Sequence, residues 1–206
     1  MGISERKERE KEQRRNAIID AAEKVFFSKG FELATMEEVA EQAELSKGTL
    51  YLYFKNKEEL QLAISIRGLI QLRKIFEESI DPGKSTWENL LAIGRGYVKF
   101  SRKYPDYLNS MLYMDAKHVD HALVEASFQD NIDPMEFFVK FIEKGIDDGS
   151  IRKDLNPKVL AHLLWSSTTG VLRLINKFRC IHGFEEYSEE ELLETHLEII
   201  THGIHK

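Results

Sequence analysis

The 206-residue chain is short of the residues that cross-link or interrupt a fold. It holds one cysteine, Cys180, so no disulfide can close within it. The start, Met1-Gly-Ile-Ser-Glu-Arg-Lys7, is charged and has no apolar segment of a secretory leader, so a reducing cytoplasm is expected. Four prolines and 12 glycines exclude collagen-like and low-complexity chains. The longest stretch without charge, Val159–Leu172, has 14 residues. A bilayer span needs roughly 20 apolar residues, so no membrane partner is expected. No segment alternates with period two, and clusters of β-branched residues are missing. Enzyme signatures are missing too: there is no phosphate-binding P-loop, no Gly-x-Gly-x-x-Gly, no Gly-x-Ser-x-Gly and no pair of Glu-x-x-His motifs. The chain reads as a non-enzyme without a cofactor.

What is present fits a folded chain, with 42% hydrophobic and 31% charged residues. The net charge of −6 is unevenly placed. Residues 1–57 carry 11 Lys/Arg and 11 Asp/Glu, whereas residues 58–206 carry 18 and 24. Within the first part, Ser46–Lys57 holds Lys47, Lys55 and Lys57 and no acid. A local cationic patch of this kind is compatible with nucleic acid even on an acidic chain.

The chain reads as all-α, with about nine helices. Residues 1–15 alternate in sign without an apolar anchor and are expected to form a flexible charged arm. Ile18, Ala21, Ala22, Val25 and Phe26 then mark one apolar helical face, and Gly30 is placed to stop that helix. Thr35 is positioned to cap a short helix over Met36–Ala43, with Val39, Ala40 and Ala43 inward. Ser46 is positioned to cap another to Tyr53, with Leu50 and Phe54 inward. A longer helix starts at Asn56, runs through Leu60, Ile64 and Leu72, and is broken at Asp81-Pro-Gly83. Further helices are expected over 85–103, 105–116, 121–148, 157–181 and 188–204.

Two short helices joined by a tight turn and braced by a preceding one form a helix-turn-helix, whose second helix enters the major groove of DNA. Its chemistry suits that task. Ser46 and Thr49 are small hydroxyls and Gly48 permits close backbone approach, while Lys47, Tyr51, Tyr53 and Lys57 have the reach for phosphates. Tyr51 and Tyr53 as plain packing residues are the competing assignment; the Ser-Lys-Gly-Thr-Leu-Tyr context favours DNA.

The ordered run Ile18-Ile-Asp-Ala-Ala22, Phe26, Gly30-Phe31, Thr35-Met-Glu-Glu-Val-Ala40, Leu45-Ser-Lys-Gly-Thr-Leu-Tyr-Leu-Tyr-Phe54, Asn56-Lys57 and Leu60 resembles the N-terminal signature of the TetR family of transcriptional regulators. The resemblance covers about residues 14–62. It implies a homodimeric repressor with a DNA-binding head (16–62) and a larger helical body (63–206) for ligand binding and dimerisation. By position it implies that Thr35 caps and touches a phosphate. Lys47, Gly48 and Thr49 stand where the family reads bases or adjacent backbone, and Tyr51, Tyr53 and Lys57 at phosphate positions. The chain departs from the pattern at Glu44, where the family has a turn glycine; Glu44 either occupies a positive-φ position or shifts the turn. Glu37 adds a further negative charge at the DNA edge of the first motif helix.

In the body, Trp87, Phe100, Tyr104, Tyr107, Met111, Phe141 and Trp165 belong to an aromatic and methionine-rich set. Most of that set is core; these seven are the candidates for an apolar ligand pocket. The apolar stripe Leu160, Leu164, Gly170, Val171 and Ile175, with Leu193, Leu197 and Ile200, is the candidate dimer interface. Asp115 with His118 and His121, Cys180 with His182, and His202 with His205 lack a metal-site ligand count and read as solvated side chains. The expected function is a ligand-responsive repressor that binds a palindromic operator in double-stranded DNA as a homodimer, released by a small apolar or aromatic effector. A constitutive sequence-specific DNA-binding protein without an inducer is the alternative.

Overall fold

The computed structural model describes residues 2–114, 117, 119–127, 133–178 and 186–204. Asp115, His118, Phe128, Cys180, His182 and His205 lie outside the described residues. Among the described residues the fold is all-α, with ten helices: α1 (Ile3–Lys29), α2 (Met36–Gln42), α3 (Lys47–Tyr51), α4 (Lys57–Ser79), α5 (Thr86–Lys103), α6 (Pro105–Leu112), α7 (His121–Ser127), α8 (Pro134–Asp147), α9 (Pro157–Phe178) and α10 (Glu189–His202). None is long and apolar enough to cross a membrane.

Two differences from the sequence reading have plain causes. The charged run at the start continues α1 as an exposed helical extension, with Glu10 accepting from Arg6 at 2.8 Å, one turn apart. The expected single helix over 121–148 is two helices. Pro134 occupies the first turn of α8, where its missing N–H costs nothing, and the Asp133 carboxylate accepts from the Met135 N–H at 2.8 Å.

The chain forms two compact units, Met1–Leu69 with Tyr104–Gln129, and Ile70–Lys103 with Asp130–Lys206. The division falls inside α4. The first unit is built on Ile18, Ile19, Ala22, Val25, Phe26, Val39, Ala40, Leu50, Phe54, Leu60 and Ile64, all buried. Every inward position read from the periodicity of residues 18–26 is among the buried residues. Helix α6 packs in this unit because Gly68 of α4 has no side chain. A Cβ there would stand 3.0 Å from Tyr107 Cβ and 3.1 Å from Met111 Sδ. The Tyr107 hydroxyl donates to Glu23 at 2.9 Å, and Arg67 donates to both Glu23 (3.0 Å) and Asp20 (2.7 Å). Burial pushes the Tyr107 phenol up to about 12, which keeps it a donor.

The second unit packs α5, α8, α9 and α10 around Ile93, Phe100, Ile142, Ile151, Ala161 and Leu197. Its buried polar groups are paired: Tyr97 and Thr169 share a 2.7 Å hydroxyl bond, and the Trp165 indole N–H donates to Tyr97 at 3.2 Å.

Candidate nucleic-acid interface and body surfaces

The motif helices are too short to persist alone, so their ends decide whether they form. Thr35 caps α2 in a reciprocal box. The Glu38 N–H donates to Thr35 Oγ1 at 3.3 Å and the Thr35 N–H to Glu38 Oε2 at 3.1 Å. Ser46 caps α3 by accepting from the Thr49 N–H at 3.1 Å, and its hydroxyl lies 2.8 Å from that of Thr49. Between them the chain turns through Glu44 at φ 54°, the left-handed region, and the Leu45 N–H returns to the Ala40 carbonyl at 2.8 Å. The glycine position of the family pattern is therefore kept as a positive-φ position with the wrong residue type.

This arrangement leaves Ser46, Lys47, Gly48 and Tyr51 exposed and Thr49 half-buried on one short helix, whose buried residue is Leu50. A Cβ on Gly48 would meet no atom nearer than 3.9 Å, so nothing among the described residues crowds that side. Tyr53 is half-buried and packs on the core of the unit, which makes its ring structural whatever its hydroxyl does. Lys47 pairs with Glu37 across the turn, and its ammonium lies 5.9 Å from the Tyr51 ring centre. The hydrogen bond from Lys47 holds the Glu37 carboxyl below its ordinary range, and the same bond raises the Lys47 ammonium. Lys29 pairs with Glu38, and its hydrogen bond holds the Glu38 carboxyl below the ordinary range.

Lys57 does something the sequence did not suggest. Its ammonium donates to the carbonyls of Phe31 (2.8 Å), Glu32 (3.2 Å) and Ala34 (3.2 Å), and lies 4.5 Å over the Phe31 ring. It fixes the loop that leads into Thr35.

The seven candidate pocket residues divide between the units. Tyr104, Tyr107 and Met111 belong to the first; Trp87, Phe100, Phe141 and Trp165 belong to the second. Phe100 and Phe141 are buried core, and Trp87 packs edge-on against His202. The candidate interface residues also divide. Leu160, Leu164, Ile175, Leu193 and Leu197 are buried within their own unit, while Gly170, Val171 and Ile200 are half-buried. The exposed apolar residues of α9 and α10 are instead Val159 (56%), Leu163 (60%), Leu174 (50%) and Ile199 (66%). Of these, Val159, Leu163 and Leu174 are not among the candidates read from the sequence, whereas Ile199 lies on the apolar stripe read for the last helix. The available signal was the charge-free run over most of α9, which puts apolar residues on more of the helix than one core contact requires. Among the described residues, no group of three His, Cys, Asp or Glu could hold a metal ion.

Comparison with known proteins gives these features a context. Residues 18–64 match the family model described as bacterial regulatory proteins, tetR family. The chain is 28% identical to the HTH-type transcriptional regulator YhgD of Bacillus subtilis, over 73% of this chain and 78% of that protein. It is 24% identical to an HTH-type transcriptional repressor of Mycolicibacterium smegmatis, over 75% and 76%. The fold is that of the Bacillus subtilis transcriptional regulator FadR solved in complex with stearoyl-CoA. That match has a TM-score of 0.68 and 21% identity, and covers 92% of this chain and 98% of the other. From the second half of α1 to the start of α4, over residues 18–64, the chain belongs to the tetR family of bacterial regulatory proteins.

Proposed function

We propose that the protein is a ligand-responsive transcriptional repressor that binds a palindromic operator as a homodimer. The observation that carries this reading is the capped α3, which presents Ser46, Lys47, Gly48 and Tyr51 to solvent, with Thr49 beside them, in a head of the tetR type. Thr35, Lys47, Tyr51 and Tyr53 meet phosphates, and Ser46, Gly48 and Thr49 lie against base edges or adjacent backbone. Lys57 serves that surface from behind by fixing the loop before Thr35. Residues 16–62 act as the reading domain and residues 63–206 as the domain for ligand and partner.

Repression is supported by the repressor relative, and a ligand by the regulator solved with stearoyl-CoA. An apolar or aromatic effector suits the body, whose aromatic residues include Trp87, Phe141 and Trp165. Dimerisation is assigned to the exposed face of α9 and α10, along Val159, Leu163, Gly170, Leu174 and Ile199. A Cβ on Gly170 would meet nothing within 4 Å, which leaves room for a second helix. Two-fold pairing of this face buries apolar area that one copy leaves in water.

The test is selection of bound duplexes from a random pool, followed by titration at several salt concentrations. The expected product is a palindrome with half-sites about one helical turn apart, bound with a steep salt dependence. Leu163→Asp with Leu174→Asp should give a monomer by sedimentation and lose most operator affinity. A sequence-independent product would overturn the repressor reading. A selected operator that no apolar acyl or aromatic compound releases would favour the constitutive alternative.

A further inference from the structure

Glu37 is acidic, exposed and located on a surface assigned to a polyanion. Its neighbour Glu38 already performs the structural work available there, closing the Thr35 capping box and pairing with Lys29. Glu37 is therefore not needed to start α2. Its partner is Lys47, the first residue of α3, and both side chains are more than half exposed. An exposed pair of this kind adds little to stability, so its consequence lies in what the two groups do when DNA arrives.

Resting on the DNA-binding reading above, we infer that Glu37 determines base specificity. In the free protein its carboxylate holds the Lys47 ammonium. On DNA a backbone phosphate takes over that ammonium, since both acceptors compete for the same donors. The released carboxylate accepts hydrogen bonds and offers none, and it sits beside phosphates of its own sign. Of the base edges in the major groove, the cytosine N4 amine suits a carboxylate; adenine sets its N6 amine beside the N7 acceptor, which opposes a carboxylate, and guanine and thymine present acceptors without an amine. Mixed-sequence DNA places Glu37 against an acceptor, or against adenine's mixed edge, in most registers and is bound more weakly. A cytosine at the facing position satisfies it. The Tyr51 ring beside Lys47 offers the ammonium a resting surface during the exchange.

The full-length protein is titrated with a duplex selected by the wild type and with a mixed-sequence duplex of equal length. Glu37→Gln is expected to bind the mixed duplex several-fold more tightly and to lose on the order of tenfold in the ratio between the two. Repeating the selection with Glu37→Gln should replace a required cytosine by adenine, because a side-chain amide pairs with adenine. In a Lys47→Met background the gain on mixed DNA should shrink, since the pair that must be exchanged is gone. Glu37 is exposed, so an unchanged thermal melt certifies the fold, and Glu37→Ala repeats the test without an amide. Unchanged affinity for mixed DNA, or an unchanged base preference after reselection, would overturn the inference while leaving the DNA-binding reading intact. A wild type that selects no duplex at all would overturn both.

Discussion

The helices of the reading motif and those of the C-terminal pair keep their places by different physics. Helices α2 and α3 have seven and five residues, far below the ~12–15 at which an isolated helix becomes marginal in water. They hold because Thr35 and Ser46 close their first turns and because Met36, Val39, Ala40 and Leu50 reach the core. Helices α9 and α10 have 22 and 14 residues, and each buries an apolar stripe while leaving further apolar residues in water. The contrast has a consequence for mutagenesis. In α9 and α10 the exposed side chains are separable from the fold. In α2 and α3 the polar side chains proposed to meet DNA include the very groups that cap the helices. Thr35 or Ser46 replaced by alanine removes a cap worth about 1 kcal/mol as well as any DNA contact.

The comparison is tested most severely at Leu50, the buried side chain of α3. Leu50→Ala should cost about 2–5 kcal/mol and abolish operator binding, because beyond its cap a five-residue helix with one buried side chain has no second anchor in the core. Denaturant unfolding beside DNA titration checks this. A stability loss with full operator affinity would mean that α3 is held by its cap alone.

Lys57→Met comes next. Three N–H donors meet three carbonyls, so the ammonium has no donor left for a phosphate unless it gives one up. Losing a charged donor to these carbonyls should cost about 1.5–3 kcal/mol. Operator affinity should fall through the loosened Phe31–Thr35 loop. The salt dependence should change by less than the roughly one unit expected for a lost phosphate contact. A full unit would return Lys57 to the phosphates.

These cases show what could be read before the fold was known. Periodicity located the head core, since one inward face suffices for a three-helix unit, and the caps at Thr35 and Ser46 followed from hydroxyl residues placed before apolar ones. The carbonyl partners of Lys57 were not legible, because a lysine at a helix start suits an anion equally well as a set of carbonyls, and these carbonyls belong to residues 23–26 positions earlier. The stripe on α9 was less legible for another reason. Leu160, Leu164 and Val159, Leu163 differ by one register step, and sequence periodicity does not say which stripe meets its own core. Pro134 was legible as a helix start, but the apolar residues on both sides of it extended the pattern across the break.

A smaller effect separates the regions by pH. Residues 1–57 contain no histidine, so the head has none to titrate between pH 5.5 and 7.5. In the second unit His196 lies 3.2 Å from Thr168 Oγ1, and burial lowers its imidazole below the ordinary range. A depressed imidazole is neutral in the fold while the unfolded chain takes up a proton first. Stability is therefore fully present above about pH 6.5 and declines as pH falls toward the lowered value. Melting curves at pH 7.5 and 5.5 should show a decline that His196→Gln reduces. An equal decline in that variant would place the sensitivity elsewhere.

The smallest expected effect is at Glu44, and its sign is the informative part. At φ 54° a side chain brings Cβ close to the following carbonyl, which costs roughly 1–2 kcal/mol relative to right-handed backbone. Glycine removes that cost but gains backbone freedom in the unfolded chain, which takes back roughly 0.5–1 kcal/mol. Glu44→Gly should therefore stabilise by only about 0.5 kcal/mol. Glu44→Gln keeps the Cβ and removes the charge, so it separates the two reasons a glutamate could be costly here. A gain in Gly alone assigns the cost to the backbone of the turn, which then stays where the Leu45 N–H meets the Ala40 carbonyl. Equal gains in both variants would assign it to charge, with Glu44 accommodated at its positive φ without measurable strain.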